Sequence, residues 1–323
     1  MERILVYHTA AIGDSVLATP VPISLKKAYP NAKITGMVHE SLIPLLSLCP
    51  GFDNLIPFNE DKSALDVRAD IGACKPDLVV DLSGSTKSLG HTALTAKKIL
   101  RYKKVPEQHA VENYLDTVST VCDINVPAME ERFPSIFPTE EQKDKIRKLL
   151  PQEGRRFLAL VPGVGELRPH RAWPEDSWVG LAKHILWEKD HSLVLIGGAD
   201  ERTLCSRIAE KIGEYCYNFA GKLNLVETAA LLSLCDGTVS GDTGPGHISV
   251  AVGTPVVGLY GPTLVERSGP YGYDGLAISV TDKCKCLKRK DCSLKEGSGA
   301  CMKDIPAKLA YGNLSSLFPW NRV

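Results

Sequence analysis

Apolar runs of four or five residues recur along this 323-residue chain, each ending at a polar, glycine- or proline-containing turn. In the first half they are Arg3–Tyr7, Ile34–Val38, Leu55–Phe58 and Leu78–Leu82. In the second half they are Phe157–Val161, Leu193–Ile196 and Val256–Tyr260, with Gly237–Ser240 a further short strand. Helical spacing fills the intervals at Ser15–Ala28, Ser63–Cys74, Val111–Val121, Thr139–Leu150, Pro174–Trp187, Glu201–Ile212, Val226–Leu234, Gly244–Ala251 and Pro306–Leu317. Strands that alternate with helices in this way pair in parallel through right-handed crossovers. At ~100–200 residues per domain, the chain divides into two α/β domains, residues 1–152 and 153–323. Pro151–Arg156 serves as the linker, and the last helix is free to cross back to the first domain. Ligands are expected where the carboxyl ends of the strands face a cleft between the domains.

Charge narrows the function. Lys+Arg and Asp+Glu are both 38, which argues against a dedicated nucleic-acid binder, since those carry a basic excess. The N-terminus, MERILVYH, lacks the basic and long apolar segments of a signal peptide. Thr243–Val265 carries no formal charge over 23 positions, long enough to span a bilayer. Five glycines and three prolines interrupt it, so it reads as a loop, helix and strand. A cytoplasmic protein with mostly reduced thiols is expected.

The strongest local signal is SGDTGPGH, Ser240–His247, which follows a short strand and opens a helix. Its glycines permit close backbone approach, and free amides at a helix start attract an anion. Asp242, Thr243, Gly244 and His247 would line such a diphosphate cradle. The same composition also suits a capping turn with Asp242 as N-cap, and the residues alone leave both readings open. No G-x-x-x-x-G-K-S/T loop occurs. Asp14, on a Gly turn after the first strand, is placed either to act on a ligand or to cap the helix from Ser15. Cys284, Cys286, Cys292 and Cys301 lie within 18 residues. Clustered thiolates can hold zinc or iron, but the spacing departs from a zinc ribbon. Reduced thiols or a labile disulfide compete with a structural metal there.

The run Ser240–Thr263, SGDTGPGHISVAVGTPVVGLYGPT, resembles the nucleotide-sugar motif of glycosyltransferase family 9. That family includes the ADP-heptose:lipopolysaccharide heptosyltransferases. Its D-T/S-G-x-x-H core, G-x-P strand and G-P-T loop are all present in order. Tyr7–Asp14 (YHTAAIGD) resembles the family's first β–α turn, with Ala11 at the first glycine of the pattern. Pro162–Pro174 (PGVGELRPHRAWP) resembles its phosphate loop, with Arg171 in the place of a lysine. Gly197–Glu201 (GGADE) resembles the turn whose acid holds the ribose.

The resemblance implies the GT-B fold, two Rossmann-like domains with parallel sheets facing a central cleft. The acceptor would lie on the first domain and the nucleotide sugar on the second. It implies inverting transfer of heptose from ADP-heptose to the lipopolysaccharide inner core, with Asp14 as the base. Arg171, Glu201, Asp242, Thr243, Gly244 and His247 would bind the donor. No D-x-D pair occurs, so no metal is expected at the diphosphate. Arg171, the amides of Thr243–Gly246 and Arg168 would offset the leaving-group charge, while His170 reads as a solvated loop residue. The basic stretch Lys97, Lys98, Arg101, Lys103 and Lys104 suits either the rim of an anionic lipid A-core acceptor, with peripheral contact at the inner membrane, or a solvated helix face and loop. The competing readings are transfer of another sugar or onto protein, a nucleotide-sugar-binding module without turnover, and a thiol- or metal-sensing protein.

Overall fold

The structure, a computed structural model, describes residues 1–122, 132–151, 154–165, 168–284 and 299–318. These form two compact units, Met1–Phe137 and Pro138–Val323. The division lies ahead of the expected linker because helix Glu140–Arg147 goes with the second unit. It packs against helix Leu225–Leu232, and Ile146 is its one buried residue. Thr139 caps it through a reciprocal bond with Gln142.

The first unit holds five parallel strands: β1 (Arg3–Tyr7), β2 (Lys33–His39), β3 (Asn54–Phe58), β4 (Leu78–Asp81) and β5 (Lys98–Arg101). Their order is β3-β2-β1-β4-β5. The central strands read as unbroken apolar runs because helices cover both faces of the sheet. Leu5, Tyr7, Met37, Phe58, Val67, Ile71 and Val79 form part of this core. Three local expectations need correction. The single helix at Ser15–Ala28 is two, Ile12–Leu17 and Pro20–Ala28, since Pro20 has no N–H to continue the first. The helix expected over Val111–Val121 is Ala110–Asp116. Lys98–Arg101, read as helix face or loop, is the edge strand paired with β4.

The second unit holds six parallel strands: β6 (Arg156–Val161), β7 (His191–Leu195), β8 (Cys216–Asn218), β9 (Gly237–Gly241), β10 (Val256–Tyr260) and β11 (Ala277–Ser279). Their order is β11-β10-β9-β6-β7-β8. The core includes Leu158, Leu160, Trp178, Leu181, Leu193, Leu195, Val239, Val257 and Leu259. Ala310 and Leu314 of the terminal helix Ala307–Ser315 are buried in this same core. Each sheet reverses its order beside its first strand, between β1 and β4 and between β6 and β9. Such switch points at the carboxyl ends of strands are where open α/β sheets bind ligands.

Candidate active site

At the switch point of the second unit, the turns after β6 and β9 meet. Arg171 sits in a 3-10 turn, Pro169–Arg171, beyond β6. Asp242 follows β9, and Arg171 Nη1 donates to its Oδ2 at 2.7 Å. His247 Nε2 lies 3.3 Å from the other oxygen of the same carboxylate. Arg171, Asp242 and His247 side chains are 15 %, 12 % and 7 % exposed, so the cluster is largely shielded from solvent. Burial pushes the Asp242 carboxyl up, but bonds and charge from His247, Arg171 and Ser268 outweigh it and hold its pKa below the usual range. Burial likewise lowers the Arg171 pKa against the pull of Asp242.

Asp242 is therefore not an N-cap. The cap of helix Gly244–Ala251 is Thr243, which makes no side-chain cap bond. The Thr243 hydroxyl pairs with Ser240 Oγ at 2.8 Å instead. A Cβ on Gly246 would stand 2.8 Å from that Ser240 oxygen, so only glycine lets the helix start this close to the strand end. The first amides of the helix thus receive no side-chain cap from Thr243. Arg171 Nε is buried with no hydrogen-bond partner among the described residues.

Glu201 stands one strand away. Its Oε1 accepts from Gly165 N at 3.0 Å and its Oε2 from Gly198 N at 2.8 Å. It ties the turn after β6 to the turn after β7. A Cβ on Gly163 would fall 1.8 Å from the Glu201 carboxylate, so a larger residue there would push that carboxylate off its two amides. His170, read as a solvated loop residue, is instead buried at 2 % exposure. Its loop is held by Trp173, whose Nε1 donates to Ile305 O at 3.0 Å and whose ring packs edge-on to Trp178. Cys284 and Cys301 are buried in the core. Cys286 and Cys292 lie outside the described residues.

At the switch point of the first unit, Asp14 is the third residue of helix Ile12–Leu17, whose N-cap is Ala11. It does not cap a helix beginning at Ser15. Tyr114 Oη donates to Asp14 Oδ1 at 3.0 Å. At the end of β4, Asp81 is fully buried and paired with Arg101 at 2.9 Å. It also accepts from the amides of Ser83 and Gly84. Arg101 thus leaves the basic stretch to serve as a brace. Lys97, Lys98, Lys103 and Lys104 remain exposed.

His8, between these groups, is buried and neither ring nitrogen has a hydrogen-bond partner among the described residues. Burial lowers its pKa, against the opposing carboxylates of Asp14 and Asp81. The unfolded chain therefore binds this proton more readily, and stability present above the ordinary histidine pKa of ~6.5 is lost as pH falls. His91, also lowered by burial, acts in the same sense. Urea unfolding between pH 7 and 5 is expected to show this decline, and His8→Phe to flatten it with little change at pH 8. An unaltered pH slope in the variant would remove His8 as a source.

No helix among the described residues is long and apolar enough to cross a membrane. The described residues contain no group of three or more His, Cys, Asp or Glu placed to hold a metal. The model of glycosyltransferase family 9 (heptosyltransferase) matches residues 82–297. Lipooligosaccharide heptosyltransferase 2 of Haemophilus ducreyi is 27 % identical, over 98 % of this chain and 99 % of the relative. Among solved structures, a family 9 glycosyltransferase from Veillonella parvula superposes with a TM-score of 0.81 at 21 % identity, covering 98 % and 97 % of the two chains. The E. coli ADP-heptose lipopolysaccharide heptosyltransferase II gives 0.75 at 20 % identity, covering 98 % of each. The two Rossmann-like units are those of the GT-B class. With two thirds of its length matched by the family model, the chain belongs to glycosyltransferase family 9.

Proposed function

We propose that this glycosyltransferase moves heptose from ADP-heptose to the lipopolysaccharide inner core with inversion at the anomeric carbon. The observation that carries the donor site is Arg171 Nε, buried and without a hydrogen-bond partner among the described residues, on a guanidinium bonded to Asp242 just ahead of a helix start without a side-chain cap. A diphosphate supplies the acceptors that both lack. The names of the relatives, an ADP-heptose enzyme among them, support the sugar.

In this reading Asp14 takes the proton from the acceptor hydroxyl as its oxygen bonds to the anomeric carbon. The bond from that carbon to the phosphate oxygen breaks, and ADP leaves. Arg171, Thr243 and the amides of Gly244 and Gly246 offset the charge on the leaving phosphate. Asp242 and His247 orient Arg171, and Glu201 takes the ribose in addition to its two backbone amides. The first unit receives the acceptor, with Lys97, Lys98, Lys103 and Lys104 facing its anionic groups. The enzyme works in the cytoplasm, in peripheral contact with the inner membrane.

The test is nucleotide release from ADP-heptose, UDP-, GDP- and ADP-hexoses in turn, with a Kdo–lipid A acceptor. ADP-heptose is expected to be turned over fastest, and undiminished in EDTA because no D-x-D pair is available to hold a divalent ion. Preference for a hexose donor overturns the sugar assignment. Activity restored only by Mg²⁺ or Mn²⁺, with the fold intact, overturns the leaving-group chemistry.

A further inference from the structure

Asp14 and Tyr114 lie 100 positions apart and meet at 3.0 Å. Tyr114 is buried, and its ring is held on two sides. His8 packs edge-on to it, with ring centroids 5.2 Å apart, and Tyr102 lies tilted against it at 4.9 Å. The neighbouring Asn113 fixes the loop that carries Tyr102. Its Oδ1 accepts from Val105 N at 2.8 Å and its Nδ2 donates to Lys103 O at 3.0 Å. The hydroxyl that reaches Asp14 is therefore mounted on a packed frame.

An aspartate carboxylate turns easily about its last torsion, which has a broad, roughly two-fold profile. A general base left to that rotation points the wrong oxygen at the acceptor for part of the time, and small misplacements are costly. We propose that Tyr114 is a positioning residue for Asp14. Its hydroxyl holds Oδ1 and leaves Oδ2 as the oxygen that takes the proton from the acceptor hydroxyl. When Oδ2 receives that proton, Oδ1 becomes the carbonyl oxygen of a neutral acid and still accepts from the same O–H. No hydrogen bond has to break as the charge moves. This inference rests on the reading of Asp14 as base.

The experiment is a four-enzyme cycle of parent, Tyr114→Phe, Asp14→Asn and the double variant, with single-turnover transfer from ADP-heptose. Phenylalanine keeps the ring contacts and removes only the hydroxyl. Tyr114→Phe is expected to lower kcat roughly 10–100-fold, as for loss of a hydrogen bond to a charged group. The donor KM stays within about twofold and thermal unfolding is nearly unchanged. In the Asp14→Asn background the same change costs less than about twofold, because the oriented base is already gone. Parental activity in Asp14→Asn rejects the base itself, and the inference with it. An inactive Asp14→Asn beside a fully active Tyr114→Phe leaves the base in place and overturns the role of Tyr114. Equal losses in both backgrounds, or a rise in KM with kcat preserved, overturn it as well.

Discussion

Replacement of Asp14 by alanine is expected to reduce transfer ~10²–10⁴-fold, the range for loss of a general base, while ADP binds as it does to the parent. The separation of the two effects follows from the fold. Asp14 belongs to the first unit, on the helix after β1, whereas Arg171, Asp242, Thr243 and His247 all lie in the second. The substitution also vacates the hydrogen bond from Tyr114, so a measure of folding belongs beside the rate. Rapid-quench turnover and calorimetric titration of ADP on the same preparation give the comparison. Transfer within a few-fold of the parent removes Asp14 from the chemistry, and a parallel loss of ADP affinity places it at the nucleotide instead.

Arg171→Ala is the second large effect. It deletes a charge-assisted contact worth ~1.5–3 kcal/mol, or roughly 10–150-fold in ADP affinity. It also leaves Asp242, 12 % exposed, as a largely buried charge beside the proposed diphosphate position. Uncompensated burial of that kind costs about 3–5 kcal/mol when complete, and the remaining bond to His247 reduces it here. Rate is expected to fall further than affinity, because charge on the leaving phosphate grows as the glycosidic bond breaks. Pairing Arg171→Ala with Asp242→Asn restores part of the stability and little of the rate. Arg171→Lys keeps much of the activity as a point charge, and Thr243→Ala is the mildest, since it removes a neutral hydroxyl already engaged by Ser240. If ADP binds all these variants as it binds the parent, the turn at Ser240–His247 is a structural element and the nucleotide lies elsewhere.

What the sequence disclosed followed burial. Strands sandwiched between helix layers, such as Leu78–Asp81 and Val256–Tyr260, are continuous apolar runs and announce themselves. Three of the four edge strands, Lys98–Arg101, Cys216–Asn218 and Ala277–Ser279, are only three or four residues long and carry no apolar run, whereas the fourth, Asn54–Phe58, is legible through Leu55, Ile56 and Phe58. Pro20 and Pro22 were visible signals of a broken helix, outweighed by the apolar spacing around them. Within the site, the glycines and polar residues of SGDTGPGH marked the turn but not its wiring. The partner of Asp242 is Arg171, 71 positions away, and the partner of Asp14 is Tyr114. Nothing local encodes such pairs, which exist only once the strand order brings the turns together. His170 was misread for the same reason, since the residues that cover its loop arrive from the far end of the chain.

That strand order also shapes how the second unit is made and lost. β6 and β9 are neighbours, pairing Leu158 with Gly237 and Val161 with Ser240, although β7 and β8 intervene in the chain. Loop closure grows with the logarithm of chain length, ~0.6 kcal/mol per doubling, so this pairing is entropically dearer than that of β6 with β7. Domains rich in contacts of such long separation fold slowly. Arg171 and Asp242 follow the carboxyl ends of the two strands of this pairing, and their 2.7 Å contact joins the turns beyond it. An interaction absent until after the folding barrier slows unfolding and leaves the folding rate unchanged. A nucleotide that engages these turns only after the folding barrier would act on this unit as a kinetic latch, prolonging the folded lifetime without hastening its formation.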